Sequence, residues 1–252
     1  MVAISGVRTL AIAAALLFSA TESLPNLRIL PLGDSITKGS RSSHGNGYRG
    51  TLRQKLVARG IKVDMVGSLR TGGSIRDNDH EGHSGGYLAE MQSYLALSVR
   101  TRPNLVLIHA GTNNMDKNVD VDVADALMDA IIDDALAASP SALVLIAPVI
   151  WANDPDMQAR TDAFNLKLAD VVERRQGEGQ HVLVAPEADI GPDDLADKKH
   201  PNDVGYKKMA SAWLDAIMEG DSRGWLAPPD KIDREELPCM GLGYRVACGK
   251  GR

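Results

Sequence analysis

Apolar positions along the chain gather into short runs, separated by longer segments with helical spacing. Runs at 27–32 (LRILPL), 62–67 (KVDMVG), 104–110 (NLVLIHA), 142–147 (ALVLIA) and 181–185 (HVLVA) have the length of strands. Three of them are almost free of polar interruption, the pattern of parallel strands covered on both faces. Helical patterns occupy 48–59, 121–138, 156–175 and 203–219. The first stops at Gly60, a suitable residue just past a helix C-terminus. The last begins directly after His200-Pro201-Asn202. Strand–helix alternation of this kind predicts right-handed crossovers and an open, doubly wound α/β sheet.

The two ends break the pattern. Arg8 precedes an apolar stretch at 10–18 (LAIAAALLF), and the small residues Ser19, Ala20 and Ser23 follow. That stretch is too short to span a bilayer, so 1–23 reads as a signal peptide and the protein as secreted and extracellular. The α/β domain is then expected over 24–220. Residues 221–252 are rich in Gly, Pro and charge and form an appendage holding the chain's two cysteines, Cys239 and Cys248. In an oxidising compartment these can pair, and closing so small a loop stabilises by roughly 2–3 kcal/mol.

Composition narrows the function classes. Hydrophobic residues make up 44% and charged residues 24% of 252, as in one soluble globular domain with appendages. The net charge is -5 and no basic cluster occurs, which sets nucleic acid aside as a partner. An acidic surface also repels polyanions and favours neutral or weakly charged substrates. No membrane partner is expected, and the chain is taken as a monomer.

An open α/β sheet binds its ligand at the carboxyl ends of the strands. Four polar segments fall there: Gly33-Asp34-Ser35 after the first strand, Glu81-Gly82-His83-Ser84-Gly85-Gly86 after the second, Gly111-Thr112-Asn113-Asn114 after the third, and Asp197-Lys198-Lys199-His200 after the fifth. Taken singly, Gly-Asp-Ser and Gly-Thr-Asn-Asn are ordinary turns, and Asp-x-x-His is an ordinary surface pair. Their joint order, each after the appropriate strand, is not ordinary.

Together these segments resemble the four blocks of the SGNH (GDSL-like) hydrolase superfamily, over about residues 27–219. Glu81-Gly82-His83-Ser84-Gly85 and His200-Pro201-Asn202 with Gly205-Tyr206 are further similar to carbohydrate esterase family 3, the acetylxylan-esterase-like branch. The resemblance implies a three-layer α/β/α sandwich on a flavodoxin-like five-stranded parallel sheet. It also implies ester hydrolysis without cofactor or metal, directed at an acetylated polysaccharide or a small ester. The alternatives are a lipid-directed esterase or thioesterase of the same fold, and a catalytically silent binding protein.

The expected roles have a physical basis. A serine hydroxyl is a weak nucleophile until a base takes its proton, and Ser35 sits where Gly33 permits a tight strand-to-helix turn. Imidazole titrates near neutrality, at about 6.5 when free, which suits His200 as that base. Asp197 would hold the far ring nitrogen and stabilise the imidazolium, and Pro201 biases His200 towards a loop. By resemblance, the oxyanion donors are the amides of Ser35 and Gly85 and the side chain of Asn113, with Gly82 and Gly86 as alternatives to Gly85. Losing one such donor typically costs about 3–4 kcal/mol. One departure stands out: the third block usually ends in Asp, where this chain has Asn114.

Other candidates are weighed against blander roles. Asp77, Asp79, His80 and His83 have the makings of a metal site, though a solvated loop is the commoner outcome and no metal is expected. His109 reads as a hydrogen-bonded core histidine, His44 and His181 as exposed. Trp151 is a candidate sugar-stacking surface, and Trp213 a core residue.

Overall fold

Strand alternation sorts the core into two halves around a central sheet. The computed structural model describes residues 24–232. The signal-peptide reading of 1–23 and the Cys239–Cys248 pairing fall outside them. In chain order the elements are β1 (Leu27–Gly33), α1 (Ser35–Lys38), α2 (Gly47–Val57), β2 (Val63–Met65), β3 (Leu69–Arg70), β4 (Asp79–Gly82) and α3 (Leu88–Ser98). There follow β5 (Leu105–His109), α4 (Thr112–Lys117), α5 (Ala124–Ala138), β6 (Leu143–Ile146), α6 (Pro155–Gly177), β7 (Val182–Val184) and α7 (Asp203–Ser222).

Strands β2, β1, β5, β6 and β7 lie side by side in that order and all parallel, which is the flavodoxin-like order. Leu30, Leu32, Val106, Ile108, Val144 and Ile146 point to one face, where α3, α5 and α6 cover them. Leu27, Ile29, Leu105, Leu107, Leu143 and Leu145 point to the other, against α2 and α7. The period of two that sends neighbours to opposite faces builds the three layers. Each such side chain contributes about 1.5–3 kcal/mol by its burial.

Among the described residues the sheet has seven strands, two more than the five expected. The additional pair, β3 and β4, is antiparallel, and β4 lies parallel to the C-terminal part of β1. Glu81 and Gly82 therefore belong to a strand of their own rather than to a loop after β2. The helix α3, absent from the sequence reading, supplies the crossover to β5 and buries Leu88, Met91 and Leu95.

Helix starts are fixed by side-chain caps. The carboxylate of Asp154 accepts the N–H of Met157 at 2.9 Å, with Pro155 opening α6. Asn202 caps α7 by accepting from Val204 at 2.9 Å and Gly205 at 3.1 Å. After α7 the chain turns back onto the body: Trp225 stacks on His181 with ring centroids 5.0 Å apart, so His181 is half-buried rather than exposed. Among the described residues no helix is long and apolar enough to cross a membrane.

Candidate active site

Ser35 opens α1 immediately after β1. The turn needs Gly33, because a Cβ there would collide with the carbonyl oxygen of His109 on β5. Asp34 is fully buried and caps α1, its Oδ1 accepting the N–H of Ile36 at 2.9 Å. Arg49 of α2, also fully buried, donates to the carbonyls of Thr37 (2.8 Å), Lys38 (2.9 Å) and Asn78 (2.8 Å). Burial pulls its guanidinium down to about 10. It ties the turn carrying Ser35 to the segment entering β4.

The hydroxyl oxygen of Ser35 lies 2.8 Å from Nε2 of His200. On the far side of the ring, Nδ1 is 2.9 Å from both carboxylate oxygens of Asp197. A carboxylate can only accept, so Nδ1 carries the proton and Nε2 is left free to accept from the Ser35 hydroxyl. Although burial pushes the Asp197 carboxyl up, amide hydrogen bonds from Lys199 (3.1 Å) and His200 (2.9 Å) and the ring N–H outweigh it, holding it at about 2. Arg41, whose side chain is 62% exposed, adds a 3.1 Å contact to the same carboxylate. In water so exposed a pair is worth little.

Asp197 and His200 share one small loop. Its neck is closed by an antiparallel bridge between Leu195 and Pro201, and the N–H of Ala196 donates to the carbonyl of His200 at 2.8 Å.

Asn113 follows β5 on α4 and is buried. Its Nδ2 donates to the carbonyl of Gly86 at 2.9 Å, leaving the second hydrogen of that amide group available. The loop after β4 is anchored beside Ser35 by His83, whose N–H donates to the Gly33 carbonyl at 2.9 Å. Three glycines in this region were candidates for an oxyanion donor. The amide of Gly82 donates to Nδ1 of His80 at 2.8 Å, and that of Gly86 to the carbonyl of His83 at 3.0 Å. Gly85 is exposed, holds φ at +83°, and its N–H has no acceptor among the described residues. The Ser35 N–H, at the first position of α1, has no acceptor within the helix.

Asn114 is buried with both ends of its amide employed. Its Oδ1 accepts the N–H of Leu88 and its Nδ2 donates to the carbonyl of Val119, each at 3.0 Å. An aspartate could not make the second bond.

The segment considered for metal binding is distributed among separate partners. Asp77 pairs with Arg53 at 2.8 Å and Asp79 with Arg70 at 2.7 Å. His80 is buried, which holds its ring at about 2; Nδ1 accepts from Gly82, so Nε2 donates to the hydroxyl of Thr71 at 2.7 Å. His83 bonds buried Glu81 at 2.8 Å and stacks on Tyr94. His109 is fully buried, but neither of its ring nitrogens has a hydrogen-bond partner among the described residues, contrary to the expectation of a bonded core histidine. Burial keeps that ring neutral. Trp213 is core, Trp151 half-buried and His44 exposed.

Residues without a motif to announce them complete the site. Lys199 reaches from the loop of Asp197 and His200 to Oδ1 of Asn113 at 3.2 Å. Its position between Asp197 and His200 was the available signal. Arg41 and Arg49 gave none, since arginines in loops and at helix starts are usually solvated.

This fold and arrangement define a class, and comparison with known proteins bears it out. Residues 32–208 match the GDSL-like Lipase/Acylhydrolase family. The chain belongs to that family, which is a class of carboxylic ester hydrolases. A multidomain esterase of Ruminococcus flavefaciens is 26% identical over 220 residues, covering 76% of this chain. The matched region is only 28% of that relative's length. Among solved structures, a family 3 carbohydrate esterase of Clostridium thermocellum aligns with a TM-score of 0.68 at 25% identity, covering 80% of this chain and all (100%) of that one. A carbohydrate esterase family 3 protein of Talaromyces cellulolyticus gives 0.67 at 23%, covering 78% and 99%. The acetylxylan esterase Axe2 of Geobacillus stearothermophilus gives 0.60 at 18%, covering 77% and 96%, and shares the fold.

Proposed function

We propose that this chain is a secreted serine esterase that removes acetyl groups from a neutral polysaccharide of the acetylxylan type, through an acyl-Ser35 intermediate. The observation that carries the reading is the continuous contact from Ser35 Oγ through the His200 ring to the Asp197 carboxylate, 2.8 Å on one side and 2.9 Å on the other. Ser35 Oγ adds to the acyl carbon as its proton passes to Nε2 of His200. The carbonyl oxygen becomes an anion facing the N–H groups of Ser35 and Gly85 and Nδ2 of Asn113. The bond from acyl carbon to sugar oxygen then breaks, and that oxygen takes the proton from Nε2. Water repeats the sequence: it gives its proton to Nε2, adds to the acyl carbon and expels Ser35 Oγ, which recovers the proton. Acetic acid is released.

The acetyl preference and the sugar substrate draw support from the esterases that this chain resembles in shape, and from a net charge of -5, which suits an uncharged polymer. Export draws support from the apolar stretch at 10–18. The test is acetate release from acetylxylan and from an aryl acetate. Ser35→Ala is expected to lower kcat by at least about 10⁴-fold. Equal turnover by that variant rejects the mechanism, and a preference for long-chain esters rejects the acetyl assignment.

A further inference from the structure

Lys199 touches both halves of the site. Its backbone N–H donates to Oδ1 of Asp197 at 3.1 Å, while its ammonium donates to Oδ1 of Asn113 at 3.2 Å and to Oδ2 of Asp116 at 2.9 Å. Asn113 and Asp116 stand three residues apart on α4, so they present neighbouring side chains to the same partner. We propose that Lys199 is a positioning residue: it fixes the Asn113 amide with its free N–H turned to the reacting carbonyl, coupling the acid–base loop to the oxyanion side. This rests on the reading of Asn113 as an oxyanion donor.

A rotated Asn113 amide would meet the wrong partner on both sides. In the observed orientation Asn113 Nδ2 faces the Gly86 carbonyl and Oδ1 faces an ammonium. Reversing the amide would set oxygen against oxygen on one side and N–H against a cation on the other. Both neighbours therefore select the same orientation, and the cation also draws charge through the amide, making its N–H a stronger donor. The Lys199 side chain is 14% exposed and that of Asp116 1%, so the ammonium keeps a buried counter-charge. Burial opposes that charge on Asp116, but hydrogen bonds from Lys198, Lys199 and Lys117 outweigh it and hold the carboxyl well below the usual carboxylate range. With Lys198 and Lys117 still beside it, Asp116 stays compensated when Lys199 is replaced. Loss of Lys199 therefore loosens Asn113 without stranding a charge.

The experiment is a double-mutant cycle on the full chain with an aryl acetate. Lys199→Met is expected to lower kcat about tenfold, less than the 10²–10³-fold typical of losing a donor outright, with KM within about twofold. Lys199→Arg, which can still donate to both oxygens, recovers most of that loss. In an Asn113→Ala background Lys199→Met adds nothing further, because the group it orients is gone. Where Lys199→Met fails to fold, Lys199→Ala, which removes the ammonium without setting an apolar chain beside Asp116, carries the same cycle. An unchanged kcat in Lys199→Met, or the same loss in both backgrounds, overturns the proposal while leaving the oxyanion reading intact. An unchanged kcat in Asn113→Ala overturns the oxyanion reading and this proposal with it.

Discussion

Replacing Asp197 by asparagine isolates the role of one negative charge. Two backbone amides, of Lys199 and His200, converge on Oδ1, so the asparagine oxygen will take that position and its NH₂ will take the place of Oδ2. That NH₂ then faces Nδ1 of His200, which lies 2.9 Å from the present Oδ2. Two losses follow. The NH₂ competes with the retained oxygen, also 2.9 Å from Nδ1, and draws part of the population to the tautomer with Nδ1 bare and Nε2 protonated, which cannot accept the Ser35 proton. The imidazolium formed during reaction also loses its counter-charge. At about 4 Å between charge centres and an effective dielectric of 20–40, that charge is worth about 2–4 kcal/mol. The lower end applies because the Asp197 side chain is 31% exposed. At 1.36 kcal/mol per decade that lower end predicts a fall in kcat of about 30-fold from charge alone. The tautomer effect can only add to it. The assay is steady-state hydrolysis of an aryl acetate near neutral pH, with circular dichroism to verify that the variant is folded. A folded Asp197→Asn variant within threefold of the parent would refute both halves of the reasoning.

Three further outcomes follow from the same structure. Arg49→Met leaves the carbonyls of Thr37 and Asn78 without the arginine's hydrogen bonds, while that of Lys38 keeps the hydroxyl of Thr71, and should cost about 3 kcal/mol in urea unfolding; a loss below about 1 kcal/mol would contradict the clamp. Gly33→Ala forces β1 away from the His109 carbonyl and should lower the unfolding midpoint and the activity together; a variant matching the parent in both would contradict the packing. Asp116 and Asp197 are both held below the ordinary carboxylate value, so their charged forms stabilise the fold above about pH 4, the unfolded value. That stabilisation is lost as the pH falls through the folded values, about 2 for Asp197. Urea midpoints should decline between pH 5 and pH 2, less steeply in Asp197→Asn; identical slopes would count against the assignment.

How much of this could be read from the chain depended on what each residue faces. β1, β5 and β6 were legible because both of their faces are apolar, and α6 and α7 because their caps and periods agree. β4 was not, since Asp-His-Glu-Gly spells a loop. Its buried members are satisfied by partners from elsewhere, Glu81 by Ser68, Ser98 and His83, and His80 by Thr71. α3 carried a readable spacing at Leu88, Met91 and Leu95, yet the glycine-rich segment before it masked the start. Ser35, Asp197 and His200 stood out because each follows a strand at the same end of the sheet. Lys199 and Arg49 did not, because a charge's partner is fixed by the fold and leaves no periodic trace.

The loop pinched between Leu195 and Pro201 has a mechanical consequence. Two of the three proton-handling groups ride on a single small ring of backbone, whereas the alcohol is mounted on the opposite end of the chain, 165 residues away. A displacement of that ring would carry His200 and Asp197 together, and the contact it would strain is the one to Ser35.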